Sequence, residues 1–67
     1  MNVRQQLGTN IRRLRAERLL SQEALAHKAA VNRTYLSDLE VGRRNPTIDV
    51  VSRIAEALGV SPGSLLD

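Results

Sequence analysis

Apolar residues recur at helical spacing in five stretches of this chain, divided by residues that start and stop helices. In the first stretch Leu7, Ile11 and Leu14 form one stripe, and Arg15 continues the row through Leu7 and Ile11 at i, i+4. The predicted helix runs from about Val3 to Arg18. Gly8, Thr9 and Asn10 are weak helix formers, so its start is expected to fray. Ser21 is an N-cap with Gln22 and Glu23 in the first turn, and Leu25, Ala26 and Ala29 mark one buried face. Asn32 is a second N-cap only a few residues later, so the second helix stops near Ala29 or Ala30. Beyond Asn32 the apolar positions are Leu36 and Leu39, while Arg33, Thr34, Ser37 and Asp38 share the opposite face. Gly42 ends that third helix, and Arg43-Arg44-Asn45-Pro46 follows as a loop. Thr47 caps a fourth helix, in which Ile48, Val51, Ile54, Ala55 and Leu58 keep the 3.6-residue period up to a stop at Gly59. Ser61 and Pro62 open a short fifth helix carrying Leu65 and Leu66. The expected fold is all-α: five helices in one compact domain over residues 1–67, with no linker, repeat or low-complexity run.

Two short helices with so brief a connection must cross steeply, which is a helix-turn-helix over about residues 22–40. The plainer reading of the same pattern is a helical hairpin with a solvated polar face. Its details favour the first. S-Q-E-A-L-A, then Val31-Asn32, then Y-L-S-D-L-E-x-G-x-x-N-P resembles the lambda-repressor/Cro-like (XRE-type) helix-turn-helix family of DNA-binding regulators, from about Leu7 to Leu66. R-T-Y followed by L-S-D-L-E is similar to the recognition helix of the small controller proteins of restriction–modification systems. The resemblance implies a recognition helix at about 33–40 and a phosphate contact at the position of Gln22. It also implies an Arg–Glu pair at the positions of Arg15 and Glu40. The residues themselves allow two readings there. Opposite charges beside apolar stripes are reconciled by pairing, or Arg15 snorkels to solvent over apolar surface. Two positions depart from the family pattern. Leu19 and Ala30 stand where the family places Gly or, at Leu19, a small polar residue, and Ala at a left-handed corner costs roughly 1 kcal/mol.

Composition agrees with this picture. Sixty-seven residues allow one domain, and a chain this small buries only about 60% of its unfolded surface. There is no cysteine to add a disulfide, and the single aromatic, Tyr35, leaves a core of Leu, Ile, Val and Ala. Met1 to Gln6 contains no apolar run, which predicts neither signal peptide nor membrane span and a cytoplasmic protein. The formal charge is +3. Arg4, Arg12, Arg13, Arg15 and Arg18 oppose only Glu17 in the first twenty residues, whereas Asp49, Glu56 and Asp67 outnumber Arg53 after Pro46. A polyanion would therefore meet the first two-thirds of the chain, although Arg4, Arg12 and Arg13 singly read as a solvated face.

Nothing in the sequence assembles a catalytic constellation. His27 is the only histidine and lies on a polar helix face, the acids are scattered, and no glycine-rich phosphate loop occurs. No enzyme, cofactor, metal or small-molecule effector is expected. For duplex DNA the roles are specific. Arg33 donates twice to guanine O6 and N7, and Thr34 meets a thymine methyl or a phosphate. Ser37 and Asp38 lie one turn deeper; Asp38 accepts from cytosine N4 or orients Arg33. Gln22, Asn32, Tyr35, Arg43, Arg44 and Asn45 are assigned to the phosphates, with the Tyr35 ring finishing the core and its hydroxyl also able to meet a base. The competing class is a protein-interaction module of the same fold, antitoxin-like or scaffold, which an outward face of Arg, Thr, Ser and Asp argues against. A homodimer on an inverted-repeat operator is expected, with its interface at Val60, Leu65 and Leu66, because one module offers few base contacts.

Overall fold

A computed structural model describes residues 2–67 as four α-helices and a terminal 3-10 turn: α1 Val3–Glu17, α2 Gln22–Ala29, α3 Arg33–Glu40, α4 Ile48–Leu58, then Pro62–Leu65. The fifth element is thus a single 3-10 turn rather than an α-helix. Four residues suffice for one turn, and Ser64 N–H and Leu66 N–H close it onto the Ser61 and Gly63 carbonyls. α1 lies against α3, α2 packs on both α3 and α4, and the last turn closes over α4 and α1. Among them sit Leu7, Ile11, Leu14, Leu25, Leu36, Leu39, Ile54, Leu58 and Leu65, with Ala26, Ala29 and Ala55 where helices approach closely. Ile48 falls outside this core at 86% exposed, because at the first position of α4 its stripe has not yet met a partner helix.

Each helix starts on a side-chain cap. Asn2 and Gln5 form a reciprocal capping box, with Gln5 N–H donating to Asn2 Oδ1 at 2.8 Å. The frayed start expected of α1 is therefore absent, and its weak helix formers have another use. Gly8 is buried where α1 crosses the end of α3. A Cβ there would overlap the Leu39 carbonyl oxygen and lie 2.6 Å from that of Glu40, so only glycine permits the crossing. Asn10 is buried too, and its Nδ2 donates to the Leu65 carbonyl at 2.8 Å and the Asp67 carbonyl at 3.2 Å.

Both departures from the family pattern, one just before the helix-turn-helix and one at its turn, resolve in the same way. Leu19 and Ala30 adopt left-handed backbones, at φ 56° and 57°, in place of glycine. Leu19 N–H and Leu20 N–H return to the Ala16 and Arg15 carbonyls, and Val31 N–H to that of Ala26. Leu19, 93% exposed, contributes no packing in return.

Candidate nucleic-acid interface

The outward surface of α3 is defined by what the helix buries. Leu36 and Leu39 enter the core, so Arg33 and Thr34 project into solvent, with Ser37 and Asp38 half-buried along the same face. Asn32 caps the helix through its carbonyl oxygen, which accepts from Thr34 N–H at 2.8 Å and Tyr35 N–H at 3.3 Å. Its NH2 group remains to donate outward. Gln22, the first residue of α2, joins Arg33, Thr34 and Ser37 around a shallow hollow of about 190 Å³. Four residues assigned to DNA from the sequence thus lie side by side, one from the start of α2 and three from the first five residues of α3.

Asp38 does not orient Arg33. Its carboxylate takes Arg44 Nε at 3.3 Å, and the Arg44 guanidinium lies over the Tyr35 ring, 5.3 Å from its centre. The loop is brought back by Gly42 at φ 79° and by Arg43 N–H donating to the Asp38 carbonyl at 2.9 Å. That return places Arg44 along the exposed edge of α3, with Arg43 and Asn45 free in solvent beside it. Arg4, Arg12 and Arg13 are exposed, and Arg13 pairs with Glu17 at 3.2 Å.

Behind this surface Glu40 is only 5% exposed. Arg15 grips it with Nε on Oε2 at 2.8 Å and Nη2 on Oε1 at 3.1 Å, the two-point geometry of a strong ion pair. Arg15 does not snorkel away from it, and its Nη1 donates to the Leu20 carbonyl at 3.0 Å, fixing the corner before α2. Gln22 Nε2 adds a further bond to Glu40 Oε1, at 3.0 Å. Sequence reasoning missed that link, and also missed Arg53, whose Nη1 holds the Ala30 carbonyl at 3.0 Å across the turn. No local pattern signals either, since both join residues of different helices.

One assignment is corrected. Leu65 has no exposed surface and belongs to the core of its own chain, so its side chain cannot form an interface with another. The 3-10 turn, tighter than an α-helix, points Leu65 inward and leaves Leu66 outward, 46% exposed; Val60 is half-buried against the core. Leu66 borders an apolar groove of about 270 Å³ with Val3, Leu7, Pro46, Ile48 and Val51. Among the described residues no three His, Cys, Asp or Glu side chains gather as a metal site, and no helix is long and apolar enough to cross a membrane.

Known proteins share this arrangement. The control protein C.BamHI of Bacillus amyloliquefaciens is 43% identical over 67 residues, spanning 98% of this chain and 83% of that one. The restriction–modification controller protein C.AhdI from Aeromonas hydrophila superposes with a TM-score of 0.90 at 34% identity, over 92% of this chain and 94% of the other. SinR, a master regulator for biofilm formation solved in complex with DNA, superposes at 0.87 with 37% identity, over 91% and 98%. A helix-turn-helix family profile, HTH_3, matches residues 11–65. With four-fifths of its length inside that profile, the chain belongs to the helix-turn-helix family HTH_3.

Proposed function

We propose that this chain is a transcriptional regulator that binds double-stranded DNA at an inverted-repeat operator as a homodimer, with α3 in the major groove. The observation that carries this reading is the outward face of α3, where Arg33, Thr34 and Ser37 converge with Gln22 while the rear of the helix is locked into the core. An α-helix such as α3 is about 10–12 Å across with its side chains, which fits a major groove about 12 Å wide. SinR, of the same fold, is known bound to DNA. Likeness to C.BamHI and C.AhdI supports a role controlling a restriction–modification system.

In this reading Arg33 donates to guanine O6 and N7, Thr34 and Ser37 complete the contact with base edges, and Gln22, Asn32, Tyr35, Arg43, Arg44 and Asn45 hold the phosphates. Arg44 bonds Asp38 through Nε alone, which leaves its terminal amino groups for a phosphate and the other Asp38 oxygen to accept from cytosine N4. The domain measures 26 × 22 × 21 Å, so one copy cannot reach two successive major grooves roughly 34 Å apart. Two copies can. Exposed Val3, Ile48 and Leu66 around the apolar groove supply a face for that pairing.

Binding-site selection from random duplexes, followed by sedimentation of the complex, tests this directly. The expected result is an inverted repeat with half-site centres about one helical turn apart, bound by two chains. A chain that enriched no sequence, or that stayed monomeric on its selected duplex, would overturn it. Enrichment failing while a different protein bound the apolar groove would move the protein-interaction reading ahead.

A further inference from the structure

Glu40 is placed too well for a residue that only balances Arg15. Its Oε1 accepts from Arg15 Nη2 and also from Gln22 Nε2, while Oε2 is taken by Arg15 Nε. A carboxylate only accepts, so the Gln22 amide must turn its NH2 group, and not its carbonyl, toward Glu40. One N–H is thereby committed, and the second is left to donate on the side where Gln22 borders the hollow with Arg33, Thr34 and Ser37. An unheld glutamine in solvent samples several rotamers and either amide face, and its carbonyl oxygen would repel a phosphate. Arg15 completes the device from the other direction, since its Nη1 fixes the Leu20 carbonyl immediately before the α2 cap at Ser21.

We propose that Glu40 is a positioning residue for DNA binding: from inside the domain it presets the Gln22 amide as a phosphate donor, with Arg15 neutralising the charge that does so. This rests on the DNA reading above and adds to it a role for an ion pair that would otherwise be purely structural. The pair and the contact surface then form one unit, so the rigid fixing of α3 against α1 is transmitted to the first residue of α2.

Glu40→Gln tests the idea because the competing explanations predict different signs. Removing a negative charge behind the DNA face would by electrostatics alone tighten binding. A purely structural role would lower the melting temperature but leave the folded fraction with unchanged affinity. Positioning predicts weaker binding. Gln at this site puts an NH2 group where one carboxylate oxygen stood. With its oxygen on Arg15 Nε that group faces the Gln22 NH2 and releases it, and with its oxygen in the Oε1 place that group meets Arg15 Nε. The simultaneous hold on both partners is lost either way. The expected loss is roughly tenfold in affinity for the selected operator, measured at a temperature where circular dichroism shows the variant folded. Gln22→Ala should lose a similar factor in the wild-type background and little in the Glu40→Gln background. Should Glu40→Gln not fold, the wild-type chain still decides: one Gln22 side-chain amide proton should exchange with solvent several-fold more slowly than those of Gln6. Equal or tighter binding by folded Glu40→Gln, or Gln22 protons exchanging as fast as those of Gln6, would overturn the positioning role and leave the DNA reading intact. A wild-type chain that bound no duplex would remove both.

Discussion

Two polar side chains, Glu40 and Asn10, are buried in the described part of the domain, and they sit behind opposite kinds of surface. Glu40 lies beneath the polar face where α2 and α3 begin, and Asn10 beneath the turn that carries Leu66 to the apolar groove. The charged residue is satisfied by side chains: the Arg15 fork and the Gln22 amide. The neutral one is satisfied by the main chain, donating to the Leu65 and Asp67 carbonyls. This difference follows from desolvation. A buried carboxylate needs an opposite charge, and the charge it recruits fixes distant segments to one another. A buried amide needs only hydrogen-bonding groups, and an irregular turn has carbonyls to spare. Each surface thus rests on the least costly polar anchor its local backbone permits.

Breaking the ionic anchor should give the largest effect. Arg15→Ala leaves the buried Glu40 carboxylate without its countercharge, at about 3–5 kcal/mol, a large share of the stability of so small a domain. Glu40→Ala should fall toward the lower end of that range, because Arg15 keeps 21% of its side chain in solvent. The double variant should lose less than the two singles added together. Thermal melts in which both singles behaved like surface changes would show that the pair is not the anchor its geometry describes. Breaking the neutral anchor should cost less. Asn10→Ala removes the donor of two bonds to main-chain carbonyls, and about 1–3 kcal/mol is expected. Its loss should concentrate at the end of the chain, seen as faster amide exchange at Leu65 and Leu66 with α2 and α3 unchanged. If Asn10→Ala destabilised the whole domain as much as Glu40→Ala, the distinction between the two anchors would fail.

The polar surface itself divides into reading and holding. Losing Arg33 should cost about 1–3 kcal/mol on the selected operator and relax preference at one base pair per half-site. Losing Arg43 should weaken every duplex alike and lower the slope of log K against log salt by about 0.9. Titrations of Arg33→Ala and Arg43→Ala against operator, single-base variants and unrelated duplex would check this. Equal weakening on all sequences by Arg33→Ala, or an altered base preference in Arg43→Ala, would reverse the two roles.

What the sequence revealed follows the same division. Periodicity and caps place every helix, because Ser21, Asn32 and Thr47 each bond the backbone two or three residues ahead. The polar face of α3 is legible for the same local reason. Leu65 misled because Leu65 and Leu66 are adjacent and alike, and only the tighter 3-10 geometry of the turn decides which one enters the core. Gly8 and Asn10 look like poor helix formers until α3 and the terminal turn are laid across them. Their purpose is tertiary, and helix propensity carries no record of it. Arg44 is a similar case: nothing in the order of the loop shows that it folds back onto Tyr35 and Asp38.

The smallest expected effect concerns how the chain reaches each anchored region. The corner leading into the turn that Asn10 holds is Gly59, at φ 74°, where a left-handed backbone carries no side-chain penalty. The corners leading into α2 and α3 are Leu19 and Ala30, at φ 56° and 57°, and each bears the strain of a Cβ against its own carbonyl, about 1–2 kcal/mol. Polar anchors lie beside both: Arg15 on the Leu20 carbonyl, Arg53 on that of Ala30. Leu19→Gly and Ala30→Gly should therefore each relieve strain without removing a packed side chain, since both residues are exposed. Glycine also widens the unfolded ensemble, which offsets roughly half of the gain. A net stabilisation of about 0.5–1 kcal/mol is expected per site, a rise of several degrees in melting temperature for a domain of this size. Operator affinity should not change at either site, because the corners keep their backbone path. A lower melting temperature for Leu19→Gly would show that Arg15 and the core, rather than the residue at the corner, set that path at no cost. A gain at Leu19 with a loss at Ala30 would mean that Arg53 has already relieved the second corner.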